Sequence, residues 1–178
     1  MMAVSQFGSA YERNIFSQYM NPPASITDAV GGLAPDFHDV TNVFSREATL
    51  LWLRYHIAET FAFVGIYDTS SKRQIMQTAE LIVDHEIYGQ LNLEEFLVFL
   101  KLFKCGEYGK IYQSARPNPQ EFLMCLKPFW EDLQAARLNY EQEQQRKRLD
   151  DMLHDPDNMT YEEFLEIKTI ERMYEMRF

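Results

Sequence analysis

Cysteine is scarce in this chain, with only Cys105 and Cys125 among 178 residues. Two thiols exclude a disulfide scaffold and a cysteine-based zinc module, and they suit a reducing compartment. Basic residues are also in the minority, 17 against 27 acidic. The resulting formal charge of −10 disfavours a general nucleic-acid coat or a polybasic membrane binder. The opening residues, MMAVSQFGSAYERN, carry neither a basic n-region nor an apolar h-region, so signal-peptide secretion is not expected. No run shows the strict apolar–polar alternation of a half-buried strand. What the chain does have is apolar and aromatic material. With 46% hydrophobic residues, 13 Phe and 10 Tyr, it is not disordered along its whole length, and it is long enough for one compact domain.

The apolar residues recur at helical spacing. Phe7, Tyr11, Ile15 and Tyr19 step by four and sketch a first amphipathic helix, stopped by Asn21-Pro22-Pro23. From Pro22 to Phe44, Gly31-Gly32, Pro35 and mixed polar residues predict a long loop with at most a short turn near Ser25–Val30. Ser45 is placed to cap a helix from Arg46 to about Ile66, which is apolar almost all round. Arg54, His56 and Glu59 in its middle argue against a membrane span and for the buried central helix of a soluble bundle. Ile75, Met76, Ala79, Ile82 and Val83 form the stripe of a third helix, for which Gly89 is a left-handed stop. Asn92-Leu93-Glu94-Glu95 reads as a capping box opening a fourth helix that Gly106 and Gly109 end. Asn118-Pro119-Gln120-Glu121 is the strongest start signal, and Pro128 predicts a kink or break in the helix that follows. Thr160-Tyr161-Glu162-Glu163 opens a last helix. The expected fold is all-α: a single-domain irregular helical bundle of six or seven helices. Its parts are an N-terminal helix and loop (1–44), a helical core (45–140) and an extended acidic C-terminal arm (141–178).

Charge is unevenly spread. Residues 1–95 carry a net −7 and 131–178 a net −6, while 96–130 carry a net +3. The basic island offers Lys101, Lys104, Lys110 and Arg116 for phosphates, with Tyr108 and Tyr112 available to stack on bases. These six are the candidate nucleic-acid contacts. Between Tyr140 and Asp151 the chain is nearly devoid of apolar groups. Glu141, Glu143, Arg146, Arg148, Asp150 and Asp151 are therefore the candidate partner contacts of a solvated helix.

Reactive chemistry finds little support. Asp155, Asp157, Glu163 and Glu166 occupy positions one, three, nine and twelve of a calcium loop, but Met159 and Thr160 stand where a ligand and a glycine belong. His56 and Glu59 lie three apart, with Glu80, Asp84, His85 and Glu86 on the next helix. A carboxylate-bridged di-iron site needs Glu-x-x-His on two helices, and that order is missing. Gly106-Glu107-Tyr108-Gly109-Lys110 lacks the spacer and the Ser/Thr of a phosphate loop. No catalytic set and no cofactor are expected.

Leu93-Glu94-Glu95-Phe96, followed by Phe103-Lys104-x-Gly106-Glu107-Tyr108-Gly109-Lys110-Ile111-Tyr112 and a capped helix with an aromatic pair, resembles a family of small helical proteins. They occur in Bacteroidetes chromosomes, conjugative elements and phages and have no assigned activity. The resemblance covers roughly residues 45–140 and implies a phage or mobile-element setting, in the cytoplasm or inside a virion. The expected function is that of a non-enzymatic accessory or adaptor protein acting on a protein partner, with self-association open and no membrane role. The alternative is a nucleic-acid-binding replication accessory that uses the 101–116 segment.

Overall fold

The computed structural model describes residues 16–66, 71–108, 118–154 and 161–175. Within them all regular structure is helical, and the fold is an all-α helical bundle. The elements are α1 (Ile26–Val30), α2 (Phe37–Val43), α3 (Arg46–Phe63), α4 (Ser71–Asp84), a 3-10 turn (Tyr88–Gln90), α5 (Leu93–Cys105), α6 (Pro119–His154) and α7 (Tyr161–Glu175). Residues 16–18 are also helical. The chain divides into two compact units, Met1–Ala136 and Arg137–Phe178, with the division falling inside α6. Of the expected first helix, Phe7, Tyr11 and Ile15 lie outside the described residues.

The stretch 22–44, expected as a loop, holds two short helices. Ser25 caps α1 by accepting from the Asp28 amide at 3.2 Å, and Asp36 caps α2 by accepting from the Asp39 amide at 2.7 Å. Each cap satisfies one of the amides that a helix start leaves unpaired, and the aspartate three residues on favours the helix dipole. Nor does the segment stand apart from the core. Phe16, Ala29, Phe37 and Val40 are buried in the same cluster as Trp52, Phe96 and Phe99.

Helix α3 begins as the sequence predicts, with the Ser45 hydroxyl accepting from the Ala48 amide. It is not enclosed on all sides. Trp52, Leu53, His56, Ile57, Thr60 and Phe61 face inward, whereas Phe63 is 67% exposed. The most enclosed helix is α5, where Phe96, Leu97, Val98, Phe99 and Leu100 are buried in succession. Its start is a full capping box: Asn92 accepts from the Glu95 amide at 2.7 Å, and Glu95 accepts from the Asn92 amide at 2.9 Å. Its end is Gly106 at φ +84°, a left-handed conformation that glycine adopts without a Cβ penalty. Gly89 behaves differently from its expected role as a left-handed stop. It lies in the 3-10 turn without positive φ, and a Cβ there would strike the His38 imidazole.

α3 packs on α2, α4 and α5, and α5 also packs on α1. Phe99 is the aromatic hub, with ring centroids 5.3–6.5 Å from Phe96, Phe103, Tyr108, Phe122 and Phe129. Phe122, Leu126, Phe129 and Leu133 bring α6 into this core. The kink or break expected at Pro128 does not end that helix, which continues to His154. Pro128 lies on the exposed side, where water can take the Met124 carbonyl that loses its partner, while buried Leu126 and Phe129 hold the helix on either side. The starts of α2 and α5 are joined by an isolated antiparallel bridge between Asp36 and Asn92. Across it the Phe37 amide donates to the Leu91 carbonyl and the Leu93 amide to the Pro35 carbonyl, each at 3.1 Å. Among the described residues no helix is long and apolar enough to cross a membrane.

Candidate functional site

Two pairs of residues spaced by three meet where α3 packs on α5. His56 and Glu59 of α3 and Lys101 and Lys104 of α5 line a cavity of about 310 Å3, with Leu97, Leu100 and Cys105 from α5 and Met20, Asn21 and Pro22 from the chain before α1. Lys104 Nζ donates to Glu59 Oε1 at 2.9 Å and lies 5.6 Å from the centre of the Phe63 ring. Lys101 Nζ donates to the carbonyls of Ala24 at 2.8 Å and Pro23 at 3.3 Å, which ties the entry to α1 onto α5.

His56 is 2% exposed, its ring 4.4 Å from that of Trp52. Burial lowers its pKa to about 4; Lys104 acts in the same direction and Glu59 opposes it, so the imidazole is neutral at physiological pH. Its Nε2 is buried with no hydrogen-bond partner. The same holds for Trp52 Nε1 and Thr60 Oγ1, which lie one turn to either side on α3. Buried polar atoms are nearly always paired, so three unpaired groups at four-residue spacing set this face of α3 apart.

The sequence assigned these residues to other roles. His56 and Glu59 entered as half of a metal pattern whose other members do not join them. Glu80 and Asp84 line a different hollow with Gln77, Leu81 and Pro119; Asp84 pairs with Arg46 at 2.7 Å, and His85 stacks on Tyr88. Among the described residues no three His, Cys, Asp or Glu side chains are grouped to hold a metal ion. Asp155 and Asp157 of the calcium pattern lie outside the described residues.

Of the candidate nucleic-acid contacts, Lys101 and Lys104 are engaged as above. The Tyr108 hydroxyl donates to Asp132 at 2.8 Å, and its ring packs edge-on against Phe129. Burial and that hydrogen bond raise the Tyr108 pKa well above the ordinary phenol value. Tyr108 thus wedges the turn after α5 against α6. Lys110, Tyr112 and Arg116, together with Gly109, lie outside the described residues.

The candidate partner contacts lie on α6 within the second unit. Glu141, Glu143, Arg146, Arg148, Asp150 and Asp151 are all exposed. Glu143 pairs with Lys147 one turn on, at 3.0 Å. The arm expected to dock a partner also includes α7, whose apolar residues the sequence marks with Phe164, Leu165 and Ile170. There Ile167 is buried, while Phe164, Leu165 and Ile170 are 40%, 47% and 39% exposed. Leu165, Glu166, Thr169 and Ile170 line a shallow hollow of about 330 Å3.

Comparison with family models, with curated proteins and with solved structures gives no match for this chain.

Proposed function

We propose that this protein is a non-catalytic helical adaptor, of a phage or mobile element, that works by protein–protein contact through its C-terminal unit. The observation that carries this reading is the apolar surface of α7, where Leu165 and Ile170 line a shallow hollow and Phe164 is also left partly exposed, on a helix of the small 137–178 unit. Apolar groups gathered on one short element, rimmed by charge, are typical of interaction surfaces. Residues 131–178 carry 13 acidic and 7 basic side chains, so the fitting partner presents a basic rim around an apolar helix or ridge. Lys101 and Lys104 are tied in part to internal partners beside the α3–α5 cavity, which weighs against their tracking an extended phosphate backbone.

Purification of the full chain from its host, beside a Leu165→Glu, Ile170→Glu variant of equal helical content, tests the proposal. The parent should retain a basic protein that the variant does not. Retention by both to the same extent overturns the assignment to α7. Salt-sensitive DNA binding in an anisotropy titration, abolished by Lys104→Glu with Lys110→Glu, would establish the nucleic-acid reading instead.

A further inference from the structure

We propose that the cavity between α3 and α5 binds a small carboxylate with a short aliphatic body, its carboxylate held by Lys101, Lys104 and His56 and its body lying against Leu97, Leu100 and Met20. The cavity belongs to the first unit and the docking surface on α7 to the second, and neither reading depends on the other.

Three features of the cavity select this ligand class. The first is charge. Two ammonium groups and one carboxylate line the space, which leaves a positive excess for an anion. An ammonium carries three donors. Lys101 directs two of its own to backbone carbonyls and Lys104 directs one to Glu59, so both keep donors for a ligand. The second is the unpaired His56 Nε2. His56 lines the cavity, but its Nε2 is enclosed within the wall and lacks a partner inside the fold; a small turn of the ring would let the neutral imidazole donate one hydrogen to a ligand oxygen. Because an unmet buried polar group is costly, a ligand that supplies the missing partner binds with that cost relieved. The third is the remaining wall. Leu97, Leu100, Met20 and Pro22 are aliphatic and suit hydrocarbon better than a second charged group. A volume of about 310 Å3 lies at the small end of the range for ligand pockets, which fits a short-chain acid.

The elements are also arranged to hold such a ligand in place. Lys101 fastens residues 23 and 24, directly after the Met20–Pro22 stretch that closes one side of the cavity. A carboxylate bound at Lys101 therefore shares its anchor with the chain segment that forms the wall.

The test is a titration of the full-length protein at neutral pH with sodium hexanoate, followed through the His56 side-chain nitrogen resonances, with hexan-1-ol and inorganic phosphate as parallel probes. The His56→Leu variant assigns the resonance. The expected result is a saturable shift of the His56 signals by hexanoate, at least roughly tenfold weaker in the Lys104→Gln variant, and no saturable shift with hexan-1-ol. Lys104→Gln retains the histidine reporter, so the test stands even where His56→Leu does not fold. Three outcomes would each overturn the proposal: no saturable shift with hexanoate at about 10 mM, equal binding of hexan-1-ol, or binding of phosphate alone.

Discussion

The buried imidazole of His56 should make this fold acid-sensitive in a defined window. Folding removes His56 from water without giving its Nε2 a partner, and its pKa falls from the ordinary 6.5 to about 4. In the unfolded chain the same imidazole protonates near pH 6.5, so between pH 6.5 and about 4 the unfolded state holds the extra proton. Acid therefore draws the equilibrium toward unfolding. The contribution of His56 is complete above pH 6.5, declines through the window and is gone below pH 4. At about 1.4 kcal/mol per tenfold change in proton affinity, the full effect is about 3 kcal/mol, of which roughly 2.5 kcal/mol is lost by pH 4.5. That is a large fraction of the 5–15 kcal/mol typical of domains. The charged groups around His56 are Glu59 on its own helix and Lys101 and Lys104 across the cavity. Urea unfolding followed by far-ultraviolet circular dichroism at pH 7.0, 5.5 and 4.5 measures the loss. His56→Leu removes the titration while filling a similar volume. The parent should therefore lose roughly 2.5 kcal/mol more than the variant between the first and last pH. Parallel pH profiles for the two proteins would refute the reasoning, because the acid sensitivity would then belong to the carboxylates.

Other substitutions probe the frame that positions the cavity. Phe99→Ala removes the ring shared by five aromatic neighbours, and the unfolding midpoint should fall by the equivalent of about 3–5 kcal/mol; a loss below about 1 kcal/mol would mean that the core repacks freely. Asn92→Ala removes the side-chain arm of the capping box on α5 while leaving the residue-92 amide bonded to Glu95, and should cost about 1 kcal/mol by the same assay. Gly106→Ala meets no atom within 4 Å, so its expected cost of about 1 kcal/mol is purely conformational, and Gly106→Asn should cost less. Arg46→Ala removes a pair with Asp84 whose side chains are 42% and 58% exposed, and it should change stability by less than about 1 kcal/mol.

The features legible in the sequence were those decided locally. Ser45, Asn92 and Asn118 each announce a helix because a cap needs only its own side chain and the amides two or three residues on. The same chemistry stood in Ser25 with Asp28 and in Asp36 with Asp39, but helices of five and seven residues are too short for apolar periodicity to appear beside it. The course of the chain through Pro128 was illegible for a different reason. Whether proline breaks a helix depends on which way it faces, and that is set by tertiary burial of its neighbours. The cavity is non-local in the same sense. His56 with Glu59, and Lys101 with Lys104, each showed as a pair three apart, yet only the packing of α3 on α5 places the four around one space. The apolar side of α7 was written plainly in Phe164, Leu165 and Ile170, but sequence alone does not say which members of such a stripe stay uncovered.

The bridge between Asp36 and Asn92 links the first turns of two helices that lie more than fifty residues apart along the chain. Helix termini ordinarily fray one at a time, each at its own rate. Here the Phe37 and Leu93 amides each bond the chain just before the other helix, so opening either end releases the other, and solvent deuterium should reach both protons in a single concerted event.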